Sequence, residues 1–172
     1  MEWTLRPVDA ADNSFLLRVY AGTRVDELAL TTWDEATKDA FVRMQYRAQA
    51  RHYKAHWPGA EHGVITVQQH GVSRDVGRLW LHRRVDTVHV LDIAVLPEWR
   101  SRGVGGRVLR HLMDEADASG RALTIYVEAA NPARRLYDRL GFQPVGQPDG
   151  AHQFMRWRHV TMEAMETCNE QA

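Results

Sequence analysis

The chain has one cysteine, Cys168, among its 172 residues, so no disulfide can form within it. With nothing for an oxidising compartment to cross-link, the expected location is the cytoplasm. Net charge is missing too: 22 Lys and Arg balance 22 Asp and Glu. A dedicated nucleic-acid binder carries a basic excess, so that class is set aside. No stretch approaches the roughly 18 apolar residues of a membrane span. The opening Met1-Glu2-Trp3-Thr4-Leu5-Arg6-Pro7 has no apolar core of the kind a signal peptide needs. Nine histidines are present, but there is no HExxH, and His52 and His56 form an isolated i,i+4 pair. No metal is expected. Repeats, low-complexity tracts and linkers are also absent.

What remains is an ordinary globular composition, 44% hydrophobic and 26% charged. This excludes wholesale disorder. At roughly 100–200 residues per domain, the length predicts one domain over residues 1–160 and a tail over 161–172.

Periodicity predicts a short first strand over Trp3–Val8. A helix follows from an Asp9 cap to about Val25, with Phe15, Leu16, Val19 and Tyr20 on its apolar face. Thr32-Trp33-Asp34-Glu35 fits a capping box. The helix it opens runs to about Ala55, with a buried stripe of Ala36, Ala40, Phe41, Met44 and Ala48, before Pro58-Gly59. The period then changes to that of strands at 64–67, 77–81 and 88–95, joined by short turns, which predicts an antiparallel meander. A helix from Gly103 presents Val108, Leu109, Leu112, Met113 and Ala116 and ends at Gly120. Leu123–Val127 reads as a strand. Asn131-Pro132 opens a helix with Leu136, Tyr137 and Leu140, which Gly141 ends. Phe142–Val145 and Gln153–Trp157 close as a hairpin.

The most informative segment is Val95-Leu96-Pro97-Glu98-Trp99-Arg100-Ser101-Arg102-Gly103-Val104-Gly105-Gly106-Arg107. A strand passes through a glycine-rich turn directly into a helix. Glycines permit positive φ and close backbone approach. The helix start offers unpaired N–H groups and a positive dipole end. Together these suit a diphosphate, and Arg100, Arg102 and Arg107 add charge. The alternative is an ordinary turn before a surface helix. The segment lacks the Gly-Lys-Ser/Thr of a P-loop, and Val108 stands where a dinucleotide fingerprint needs glycine.

Arg100-Ser101-Arg102-Gly103-Val104-Gly105 resembles the Arg/Gln-x-x-Gly-x-Gly/Ala signature of the GCN5-related N-acetyltransferase (GNAT) superfamily. Leu91–Glu98 is similar to that family's fourth strand. Asn131-Pro132-Ala133-Arg134-Arg135-Leu136-Tyr137-Asp138-Arg139-Leu140-Gly141-Phe142 resembles its Asn-x-x-Ala-x-x-Leu-Tyr-x-x-x-Gly-Phe block. The resemblance implies an α/β fold with a mixed, mostly antiparallel sheet of six to seven strands. About four helices flank it, and its fourth and fifth strands splay apart. It implies an acetyl-CoA-dependent N-acetyltransferase acting on a primary amine of a small molecule or peptide. A catalytically silent acyl-CoA-binding sensor or scaffold is the alternative.

Carried over residue by residue, the backbone of Ile93, Ala94 and Val95 would pair with the pantetheine. N–H groups from Ser101 to Gly106 would hold the pyrophosphate. Asn131 would contact the pantetheine arm, and Tyr137 would stand near the sulfur as acid. Packing is the alternative role for Tyr137, and helix capping for Asn131. A protonated amine must lose its proton before it attacks. The candidate bases are Glu128, then His89, with Asp92, Glu27 and water-mediated transfer also open. Gln45, Gln49, His52, Tyr53, His56, Trp57 and Trp33 either line an acceptor pocket or form an exposed helix face. A homodimer is expected from the superfamily, with Trp80, Trp157 and the tail as candidate interface elements.

Overall fold

The computed structural model describes residues 2–129 and 131–158. The predicted tail and Cys168 lie outside them. The chain divides into two compact units. One takes the residues up to 83 together with 89–109, and the other takes 84–88 together with those from 110 onward.

The first unit opens with strand β1 (Trp3–Pro7) and a 3-10 turn, Ala10–Asp12. Asp9 caps that turn through the Ala11 N–H, and Asp12 accepts the Asp9 N–H in return. The first helix therefore begins later than predicted. It is α1 (Asn13–Gly22), with Leu16, Val19 and Tyr20 buried, and a separate short helix α2 (Val25–Ala29) follows. The long helix α3 (Glu35–His56) is capped by Asp34, whose carboxylate accepts the Thr37 N–H at 2.8 Å. The Thr32 capping box predicted two residues earlier does not form the cap.

Strands β2 (Glu61–Gln69), β3 (Val72–Arg83) and β4 (Thr87–Val95) follow, and the unit's strands lie in the order β1-β2-β3-β4. The β1–β2 and β2–β3 pairs are antiparallel. The predicted meander is present, with every strand longer than periodicity alone suggested. Ile65 pairs with Gly77 but Thr66 with Asp75, so Val76 is an extra residue in β3. Such a bulge bends a strand locally. Here its carbonyl accepts the Leu96 N–H at 2.8 Å, which fixes the chain just past β4. At Gly77 a Cβ would come within 2.4 Å of the Ala94 carbonyl oxygen, so only glycine lets β4 lie this close.

The second unit holds β5 (Ala122–Glu128), α5 (Arg134–Arg139), β6 (Gln143–Pro144) and β7 (His152–Trp157), with strand order β5-β7-β6. Both of its strand pairs are antiparallel. Helix α4 (Val104–Ala118) begins in the first unit and ends in the second. Gly120, at φ 64°, ends it as predicted. Among the described residues, seven strands and five α-helices give the mixed, mostly antiparallel α/β fold class expected.

Candidate functional site

The signature segment sits where its sequence predicts. After β4 the chain makes a one-turn 3-10 helix, Pro97–Trp99, and then a turn through residues 100–103 into α4. Ser101 and Gly103 hold positive φ, 58° and 80°. At Gly103 this conformation is natural, and at Ser101 it is a local cost that the turn imposes. Arg107 N–H bonds the Gly103 carbonyl, closing the first helical turn. The amides ahead of it have no partner earlier in the helix, so they face the turn as donors. A Cβ on Gly103 would meet only the Arg107 Nε, at 4.0 Å. The space beside the turn is open and bounded by donors and a guanidinium, which fits a diphosphate.

The three arginines do different work. Arg100 donates from Nη2 to the Gly22 carbonyl at 2.6 Å and from Nε to the Val95 carbonyl at 3.2 Å. Its side chain ties the end of α1 to the end of β4, so what it offers a ligand is backbone. Arg102 lies over the Trp99 ring, 5.0 Å from its centroid, and is exposed. Arg107 is exposed beside the turn.

One cluster was not anticipated. Arg78, in the middle of β3, is 1% exposed. Its Nε donates to Asp92 at 2.8 Å and its Nη2 to the Gln49 carbonyl oxygen at 2.7 Å. The guanidinium also lies 5.3 Å from the Tyr20 centroid and 6.0 Å from that of Tyr46. Gln49 donates to the Tyr53 hydroxyl, which donates to the Leu91 carbonyl at 3.1 Å. Burial pushes the Tyr53 phenol up, and the Asp92 charge adds to that, so Tyr53 stays a donor. The sequence carried one signal for this cluster, a charged residue inside the apolar strand run Gly77-Arg78-Leu79-Trp80-Leu81. Asp92 is thereby committed as the counter-ion of a buried cation, which is the anchor role for it.

The predicted stripe of α3 is corrected by the same cluster. Ala36, Ala40, Met44 and Ala48 are exposed and Phe41 is half-buried. The inward face is Val42, Tyr46, Gln49, Tyr53 and Trp57. Polar and aromatic groups stand there because they must satisfy a guanidinium. Of the proposed acceptor wall, Gln49 is engaged by Arg78. Tyr53 packs edge-on to Trp80 at 5.4 Å, and Trp57 stacks on His89 at 5.0 Å. Gln45 is half-buried, while His52 and His56 are exposed and stack on each other at 4.2 Å. Trp33 is exposed against the edge of Phe41. Trp80 is 4% exposed and stacked on His62 at 4.0 Å, so it is a core residue and not an interface element.

His89 is likewise 5% exposed beneath Trp57. Glu27 is exposed and paired with Arg24 at 2.9 Å. In the second unit, Glu128 is 53% exposed, with His152 across the strand pair at 3.6 Å. Asn131 accepts the Ala133 N–H at 2.9 Å and its carbonyl accepts the Arg134 N–H, which sets the turn before α5; the helix's N-cap is Ala133, two residues later than the sequence predicts. Tyr137 is 4% exposed and packs edge-on to Phe142 at 5.7 Å. Among the described residues, no helix is long and apolar enough to cross a membrane.

A family model described as an acetyltransferase (GNAT) domain matches residues 59–144, half of the chain, and this span contains the turn and the Asn131–Phe142 block. The chain belongs to the GNAT acetyltransferase family. Within it, the [ribosomal protein bS18]-alanine N-acetyltransferase of Escherichia coli K12 is 40% identical over 60 residues, 34% of this chain and 40% of that enzyme. The mouse cysteine-rich protein 2-binding protein is 32% identical over 60 residues, 35% of this chain. The chain spans 7% of that mouse protein's length and well under half of the bacterial enzyme's. Among solved structures, the PaiA N-acetyltransferase of Thermoplasma acidophilum, in complex with coenzyme A, has a TM-score of 0.65. It shares 16% identity over 92% of this chain and all of that one. At that identity the likeness concerns the GNAT fold.

His62 gives this unit a pH dependence. Burial, then the charges of Arg78 and Lys54, push its imidazole down to about 4, against the opposing pull of Asp12. Its Nε2 is buried with no hydrogen-bond partner. The unfolded chain takes up this proton near pH 6.5 and the folded chain only near 4. The stability contributed is therefore full above 6.5 and lost as pH falls from there to 4. Unfolding midpoints measured across that window should fall less for His62→Phe, which keeps the stack on Trp80, than for the parent.

Proposed function

We propose that the chain transfers an acetyl group from acetyl-CoA to a primary amine, with a peptide or small-molecule α-amine as acceptor. The observation that carries this is the turn after β4, with its positive φ at Ser101 and Gly103 and its open, donor-lined space. Backbone groups of Ile93, Ala94 and Val95 bind the pantetheine, and amides of residues 101–106 hold the pyrophosphate. Asn131, in the turn before α5, adds a contact to the arm. Bound acetyl-CoA supplies the thioester carbonyl that the amine attacks.

The chain's part is electrostatics and proton movement. A strand amide among residues 93–95 donates to the carbonyl oxygen as negative charge develops on it. Glu128 takes the proton from the acceptor's ammonium nitrogen. Its half-exposed carboxylate supports this role, whereas His89 is buried under Trp57. As the C–S bond breaks, Tyr137 gives its hydroxyl proton to the departing sulfur, and the proton that the nitrogen sheds as the C–N bond forms returns to the tyrosine oxygen by way of solvent. The amine nitrogen attacks the thioester carbon directly, and the CoA thiolate leaves as the amide forms.

An assay of free thiol released from acetyl-CoA, run with short peptides and small amines, tests the proposal. Amine-dependent release is expected. Saturable acetyl-CoA binding with no release for any amine would favour the silent acyl-CoA-binding alternative.

A further inference from the structure

Helix α3 changes character along its length. Near its start, charges are paired on the helix itself: Lys38 donates to Glu35 at 2.9 Å and Arg43 to Asp39 at 2.8 Å. From residue 40 to residue 56 the helix has no Asp or Glu, yet it carries Arg43, Arg47, Arg51 and Lys54. In a chain whose 22 basic and 22 acidic residues balance, this is a local excess. At 3.6 residues per turn the four fall within about 80° of arc, so they form one stripe, about 17 Å long. All four are exposed. Arg47 and Arg51 have no ion-pair or hydrogen-bond partner among the described residues. Like charges three and four residues apart oppose each other on a helix. The helix dipole favours cations in the last turn, which accounts for Lys54 but not for Arg43 or Arg47, well inside the helix. The stripe therefore costs the free helix stability that an opposite charge laid along it restores.

The same residues line an open groove of about 800 Å³. Asn13 of α1 and Met44 and Tyr46 of α3 also line it, and among the described residues no carboxylate does. Met44 is 55% exposed, so the groove has an apolar spot beside its cations. A nucleic-acid surface draws on a basic excess over the whole domain, which this chain lacks. A single phosphate engages only part of a stripe this long. A helix with a glutamate at every fourth residue matches it, because its carboxylates recur every 6 Å or so, as do Arg43, Arg47 and Arg51. Arginine forks suit carboxylates.

We propose that this face of α3 docks an acidic amphipathic helix of a partner protein. Glutamates at four-residue spacing meet Arg43, Arg47, Arg51 and Lys54, and an apolar side chain packs on Met44. The contact is of the helix-in-groove kind, with charge setting the register. It does not depend on the acetyl-transfer reading, since none of these residues belongs to the turn after β4 or has a part in the reaction.

The test is fluorescence anisotropy of a labelled peptide of four Glu-Leu-Ala-Ala repeats, titrated with the full chain. Its N-terminus is acetylated, so it offers no amine to acetylate. Saturable binding is expected, and it should weaken about tenfold as salt rises from about 0.05 M to about 0.5 M. The double reversal Arg47→Glu with Arg51→Glu should weaken it by about tenfold or more. The reversed chain should instead bind a peptide of Lys-Leu-Ala-Ala repeats, which the parent does not. Both positions are exposed, so the unfolding midpoint of that variant and its rise with CoA should match the parent's. Arg47→Gln with Arg51→Gln should give a smaller loss of the same sign. Equal binding by the parent and reversed chains would overturn the proposal. So would equal binding of a peptide of the same composition with its glutamates contiguous. Tighter binding of an oligouridylate of equal charge, or of phosphatidylserine vesicles, would assign the stripe to nucleic acid or membrane and overturn it as well.

Discussion

Replacing Arg78 with leucine should lower the unfolding midpoint by about 6–20 °C. The side chain is 1% exposed and its charge is met by Asp92 at 2.8 Å. Removing one partner of a buried ion pair leaves the other uncompensated, at about 3–5 kcal/mol. For a chain of this size each kcal/mol moves the midpoint by about 2–4 °C. Gln49 would lose its donor as well, freeing the link from α3 through Tyr53 to the Leu91 carbonyl. The decisive comparison is Arg78→Leu with Asp92→Leu. When both charges go, no unpaired charge remains and only the Gln49 oxygen lacks its donor, so the double variant should recover much of the loss. Thermal unfolding of the two singles and the double measures this. Additive losses would mean that the pair does not act as a unit, and that Asp92 is free for another role.

Replacing Tyr137 with phenylalanine should cut turnover by about a hundredfold or more, the scale of a positioned proton donor. CoA affinity should change little, because the ring packing against Phe142 is kept. The signature is a fall in kcat with KM for acetyl-CoA unchanged, an interaction made chiefly in the transition state. The loss should shrink for a thioester with a more acidic leaving thiol, which needs less protonation. Unchanged turnover with a good acceptor would return Tyr137 to the packing role that its 4% exposure also satisfies.

These two residues differ in how visible they are in the sequence. Tyr137 stands inside a contiguous block whose spacing is set by one turn of helix, so its neighbours announce it. Arg78 meets partners 14 and 29 residues away on other elements, and strand periodicity cannot show that pairing. The same non-local demand explains the misread face of α3. An aliphatic stripe is the expected inward face of a helix, but here the helix covers a guanidinium with amide and aromatic groups. The β3 bulge at Val76 was hidden because register is a property of two strands together. The glycine turn was legible because its conformation is local: positive φ and a helix start need particular residues at particular places. The α3 cap was misplaced by two residues because Thr32 and Asp34 are both good caps, and only the fold chooses between them.

The central claim is that the turn after β4 binds acetyl-CoA, and thermal unfolding of the full chain with and without acetyl-CoA tests it most directly. A ligand at about 100 times its dissociation constant adds about 2.7 kcal/mol. That should raise the midpoint by about 5–10 °C. The same rise is expected with free CoA and not with NAD. It should be lost in Gly103→Val, where a β-branched side chain meets a φ of 80° beside the donor-lined space. No rise at millimolar acetyl-CoA in a folded sample free of bound CoA, or an equal rise in Gly103→Val, would contradict the account.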